Sequence, residues 1–111
     1  MEDAIRAFVT FLAVERQASG ETIRNYRSDL HQLVSFLNKP GGAPRPPTIA
    51  HVTTEQLRSF LHWLSRKGEK ASSLARKLAC FRSFFRFLIR EGLTSTNPAE
   101  DIKDRKSTRL N

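Results

Sequence analysis

From Arg66 to Arg90 the chain carries eight Lys/Arg residues against one acid, Glu69. Leu74, Leu78, Phe81, Phe85 and Leu88 recur there at the helical period and predict a buried stripe. On the helical wheel Arg76, Ser83, Arg86 and Arg90 fall on the opposite side. Contacts to phosphate need Arg or Lys and hydroxyl donors repeated at a spacing that a groove can follow. Lys70, Ser73, Arg76, Lys77, Ser83 and Arg86 supply that pattern on one helix. An arginine can also grip guanine O6 and N7 in the DNA major groove, where an α-helix fits. The same pattern equally suits solvated charges opposite a core stripe. Arg82 lies between the two faces, placed either to reach a polyanion or to lie flat across the core edge.

No other set of residues has the spacing of a reactive site. His31, His51, His62 and Cys80 share no metal-ligand spacing. Gly41-Gly42 sits among prolines without the Lys and Ser/Thr that follow in a phosphate loop. No nucleophile elbow and no pair of inward carboxylates can be read. The expectation is a chain that catalyses nothing and holds no metal, cofactor or small-molecule ligand.

The elements that position the basic segment fit one domain of 111 residues, 39% hydrophobic with eight Phe to fill a core. A formal charge of +8 and a pI near 10.6 favour an anionic partner, nucleic acid ahead of an acidic membrane surface. Cys80 is the single cysteine, which excludes an intrachain disulfide and reads as a small core or boundary residue. No apolar run is long enough to span a bilayer. The opening Met1-Glu-Asp-Ala lacks the layout of a signal peptide, so a reducing, cytoplasmic setting is expected.

Four helices are predicted and no strands. The first runs from Glu2 to Gln17, with Ile5, Phe8, Val9 and Leu12 buried and the acids Glu2 and Asp3 at the positive end of the helix dipole. Ala18-Ser19-Gly20 ends it, and Ser19 is placed to cap a second helix from Gly20 to Leu37. Ile23, Tyr26, Leu30, Leu33, Val34 and Leu37 form its apolar side; Arg24, Asn25, Ser28, His31, Gln32 and Ser35 form a polar, mildly basic one. Lys39 to Thr48, rich in Pro and Gly, reads as a surface connection. Thr53 and Gln56 then form a capping box, with Val52 placed to staple against Leu57. The third helix, Thr54 to Arg66, buries Leu57, Phe60, Leu61 and Leu64 and ends at Gly68. The basic helix, Ser72 to Glu91, ends at Gly92 in a left-handed C-cap. Asn97-Pro98-Ala99-Glu100 begins one further turn. Phe87 falls on the polar side, either covering a neighbouring helix or marking a surface for a further domain. Trp63 flanks the third helix's stripe.

The order of these residues resembles the N-terminal core-binding domain of the tyrosine recombinases, the phage-integrase and Xer-like family. Phe8-Val-Thr-Phe-Leu12 with Glu15-Arg16 is similar to the family's first helix. Ser19-Gly-Glu-Thr22-Ile-Arg-Asn-Tyr26-Arg-Ser-Asp29-Leu30 resembles its second-helix signature, a Thr, a Tyr four residues on, then Asp-Leu. Lys70 to Leu88 resembles the fourth helix, and Asn97-Pro98-Ala99 the exit into the interdomain linker. The likeness covers the chain to about Lys103.

That resemblance implies an all-α fold, a compact four-helix orthogonal bundle of the SAM-like integrase N-terminal type with a short C-terminal extension. It implies half of a clamp around double-stranded DNA, with the second and fourth helices facing the major groove. The parent protein is expected to be a strand-transferring recombinase that assembles as a tetramer on paired sites. Carried onto this chain, the contact residues are Thr22, Tyr26 and Arg27, then Lys70, Ser73, Arg76, Arg82 and Ser83. Tyr26 lies on the buried stripe, so it also reads as a core ring whose hydroxyl only reaches the rim. The family's cleavage chemistry belongs to a C-terminal catalytic domain that this chain does not contain. The expected division is a DNA-binding domain at 1–103 and, at 104–111, either a basic linker or a tail resembling the translation of a sequencing-library adapter. Setting that tail aside lowers the charge from +8 to +6. Two other readings stay open: a helical protein-interaction module using Phe87 and Trp63, and a helix-turn-helix repressor built on the Arg66–Ala71 turn.

Overall fold

Two helices each meet all the others. α4 (Ala71–Arg90) packs on α1 (Glu2–Val14), α2 (Gly20–Leu37) and α3 (Thr54–Arg66), and α2 also packs on α1 and α3. The computed structural model describes residues 2–37 and 52–102; the 39–48 connection, His51 and the 104–111 tail lie outside them. Among the described residues there is no strand, and no helix is long and apolar enough to cross a membrane. The architecture is the all-α, four-helix one expected from the hydrophobic periods.

Contact with three neighbours widens the buried arc of α4 well beyond a single stripe. Leu74, Leu78, Phe81, Phe85 and Leu88 are buried as expected, but so is a second ridge of Lys77, Cys80, Phe84 and Phe87. Phe8 of α1 sits between Phe84, Phe87 and Tyr26, with ring centroids 5.4, 5.6 and 6.4 Å away. Phe60 of α3 packs on Phe36 at 5.2 Å and Phe81 at 6.0 Å. Phe87, on the polar side of an isolated wheel, therefore covers a neighbouring helix, with Phe11 at 4.9 Å.

Local chemistry sets the helix ends. The Ser19 hydroxyl accepts from the Thr22 amide at 3.1 Å. The Thr53 hydroxyl accepts from the Gln56 amide at 3.1 Å, and the Gln56 side chain accepts from the Thr53 amide at 2.9 Å. Val52 and Leu57, at the staple positions, are both buried. Gly68 and Gly92 have φ of 102° and 76°. After each, the amides of Gly and of the next residue fold back on the last turn, Gly68 to Ser65, Glu69 to Leu64, Gly92 to Ile89 and Leu93 to Leu88. α1 is shorter than its pattern suggested. Residues 13–17 are all exposed, so no burial holds a further turn, and Gln17 enters the left-handed region at φ 50°.

Two polar features lock the bundle. The carboxylate of Asp29 in α2 is 1% exposed and binds two α4 cations: Arg76 Nε and Nη2 at 3.2 and 2.9 Å, and Lys77 Nζ at 2.9 Å. After α4, the chain turns at Asn97–Glu100 and is tied down. Thr54 donates to the Pro98 carbonyl at 2.8 Å. Arg82 donates to the carbonyls of Ala99, at 3.2 Å, and of Ile102.

Thr53→Ala removes the cap of α3 and should lower urea-unfolding stability by about 1 kcal/mol. Asp29→Ala leaves the buried Lys77 with only the longer 3.6 Å contact to Glu69 and should cost about 3–5 kcal/mol in the same measurement. An Asp29→Ala loss no larger than that of Thr53→Ala would show that the buried network does not hold α2 to α4.

Candidate nucleic-acid interface

The outward side of α4 is narrower and less cationic than the sequence suggests. Ser72, Arg76, Ala79, Arg86, Ile89 and Arg90 are exposed, and Ser73, Arg82 and Ser83 are half-buried. Arg76 keeps a 43% exposed side chain while two of its nitrogens donate to Asp29. That hydrogen bonding raises its already high pKa, so it stays charged throughout. Lys77 was expected on the open face and is instead buried, its side chain 4% exposed between Asp29 and Glu69. No phosphate can reach it there. The physical reason is the second buried ridge of α4, which carries Lys77 into the seam with α2.

Further along α4 the cations have protein partners. Arg82 spends its donors on the carbonyls of Ala99 and Ile102, the inward of its two expected alternatives. Arg86 faces Glu100 at 3.4 Å, and Arg90 faces Glu15 at 3.5 Å and Glu91 at 3.3 Å. Arg90 also lies over the Phe11 ring at 4.8 Å. Ser83 lines a small cleft with Arg16, Arg86 and Phe87. The carboxyl half of α4 is thus largely neutralised, contrary to the expectation of one continuous basic face.

Unpaired positive charge gathers elsewhere. Arg24 and Arg27 of α2, Arg66, and Lys70 at the start of α4 are exposed and have no carboxylate partner among the described residues. Arg24 and Arg27 line a broad groove with Ser28, Gln32 and Lys67. The Lys67 ammonium rests over the Trp63 ring at 4.5 Å. Among the described residues, α2 and the α3–α4 corner therefore gather exposed cations that have no carboxylate partner. Arg24 and Lys67 belong to this group although the sequence pattern gave them no role. The signal was there for Arg24, on the polar side of α2, but it was diluted by uncharged neighbours.

Two α2 candidates are partly engaged. The Thr22 hydroxyl accepts from Ser19 at 3.0 Å and so belongs to the helix cap. Tyr26 is half-buried, its ring stacked on Phe8 at 6.4 Å and 7°. Burial raises the phenol pKa, helped by Cys80 and Asp29 and opposed by Arg76 and Arg16. The Tyr26 carbonyl accepts from the Cys80 thiol at 3.7 Å. Cys80 is fully buried, which pushes its pKa far up and keeps it protonated. Among the described residues no group of His, Cys, Asp and Glu is placed to hold a metal ion.

Comparison with known proteins fits this arrangement. The family model "Phage integrase, N-terminal SAM-like domain" matches residues 5–92. The tyrosine recombinase XerD of Rhizobium meliloti is 34% identical over 105 residues, 95% of this chain and 32% of that protein. XerD of Listeria monocytogenes is 35% identical over 106 residues, 96% of this chain and 35% of its own length. XerC of Oceanobacillus iheyensis is 39% identical over 98 residues, 88% of this chain and 31% of its length. The chain thus spans about a third of the length of the relatives it matches. No solved structure gives a significant match. With a family match running from α1 to the cap of α4, and four helices to go with it, the chain belongs to the phage-integrase N-terminal SAM-like domain family, as the N-terminal domain of a tyrosine recombinase.

Proposed function

We propose that this domain binds double-stranded DNA as one half of a recombinase clamp, through α2 and the amino-terminal half of α4. The observation that carries this reading is the Asp29 lock between the two helices. It fixes α2, which carries the exposed Arg24 and Arg27, against α4, which carries Ser73 and Arg76 with Lys70 at its cap. Two rigid adjoining helices with free cations meet the geometric need of a groove better than a mobile cluster does. Thr22 and Tyr26 flank that surface, and Arg82, Ser83 and Arg86 lie at its margin, where their protein partners leave them a secondary part. The chain itself carries no catalytic residue in this reading. Strand transfer falls to the catalytic domain of the parent protein, which works as a tetramer on paired sites.

With about four to six phosphates engaged, the logarithm of the binding constant should fall against the logarithm of salt with a slope of roughly −4 to −5. Fluorescence anisotropy with a labelled duplex across a salt series measures it. Arg24→Ala with Arg27→Ala should weaken binding to all sequences and reduce the slope by about 2, roughly 1 for each lost phosphate contact. Arg86→Ala, already paired with Glu100, should leave the slope nearly unchanged. Binding indifferent to salt, or to the paired α2 substitutions, would overturn the assignment.

A further inference from the structure

Arg76 and Asp29 differ sharply in exposure, and the difference has a chemical consequence. A guanidinium has five N–H donors in one plane. Asp29 occupies its inner edge, with Nε donating to Oδ2 at 3.2 Å and Nη2 to Oδ1 at 2.9 Å. Three donors remain, and two of them, one on each Nη, share the outer edge. The carboxylate is 1% exposed and the Arg76 side chain 43% exposed. A pair that served only the core would bury both groups, and an ordinary surface pair would expose both. Here the acid is anchored and the guanidinium points out from it. Lys77 holds the same carboxylate from inside at 2.9 Å, with Glu69 3.6 Å behind it. The plane and direction of the guanidinium are therefore fixed before any partner arrives.

Pairing with Asp29 offsets the charge of Arg76 but not its directionality. Such an arginine adds little to the sequence-independent attraction of phosphates, which depends on net charge. Its outer edge still presents two parallel donors, which fit the O6 and N7 acceptors of guanine in the major groove. We infer that Asp29 is a positioning residue that presets Arg76 to read a guanine. This rests on the DNA-binding reading above and goes beyond it by assigning base selectivity to one buried carboxylate.

The test is selection of duplexes with a randomised central segment by this chain, followed by affinity measurement. The chain should enrich a guanine at one position. Replacing that base with 7-deazaguanine, which lacks the N7 acceptor, should weaken binding about fivefold or more. Arg76→Lys keeps a charge without the two-pronged edge and should lose the preference at that position. Asp29→Asn combined with Lys77→Met removes both buried charges and should lose the same preference while binding still responds to salt. A preference that survives in this double variant overturns the inference. Should the double variant not fold, the wild-type chain without DNA decides by the NMR signal of the Arg76 Nε–H. A distinct, slowly exchanging resonance is expected, and a freely rotating, exchange-averaged guanidinium overturns the inference. Duplexes bound with no base preference would overturn the role of Asp29 and leave DNA binding standing; no duplex bound at all would overturn both.

Discussion

A carboxylate with 1% exposure that binds an arginine and a lysine from another helix constrains everything around it. A charge so far from water persists only when it is paired and fully hydrogen-bonded. Asp29 meets that demand with residues nearly fifty positions away, so α2 and α4 have one register in which the network closes. No buried side-chain nitrogen or oxygen is left without a partner among the described residues. The apolar contacts supply the bulk of the stabilisation, since two aromatic clusters join α1, α2 and α4 on one side and α2, α3 and α4 on the other. They would tolerate some sliding. The ion network would not, and it is the part of the core that specifies where the outward residues of both helices stand.

The distribution of charge follows from the same packing. α4, like α2, packs on every other helix, so its sides are covered, and its carboxyl half runs past Glu15, Glu91 and Glu100, which take up Arg90 and Arg86. Its amino-terminal end meets the α3–α4 corner and the first half of α2, where Arg24, Arg27, Arg66 and Lys70 have no carboxylate partner among the described residues. Net charge by itself would not have located this surface. A formal +8 says only that an anion is welcome; the pairing of each cation decides where.

Much of the fold was legible in the residues because helix ends are written locally. Ser19, the Thr53–Gln56 box, Gly68 and Gly92 each act within one turn, and each does what its type requires. The site was less legible, for two reasons. A helical wheel assumes one neighbour, whereas α4 has three, so Lys77 moved from the expected outer face to the interior and Phe87 took the inward of its two readings. Pairing across the chain leaves no periodic trace: nothing local in Asp29-Leu30 or in Arg76-Lys77 says that the two meet. The likeness to the recombinase family flagged both segments, but it could not say that Asp29 is the residue that joins them. Arg82 illustrates the same gap, since its carbonyl partners at Ala99 and Ile102 depend on how the chain folds back after α4.

If α2 and the α3–α4 corner form the DNA surface, amide chemical shifts of the ¹⁵N-labelled domain should report it during titration with duplex DNA. Perturbations should concentrate at residues 22–28 and 66–76 and be weak at residues 86–93, where the cations already have carboxylate partners. Perturbations confined to the carboxyl end of α4, or none at saturating duplex, would contradict the placement of that surface.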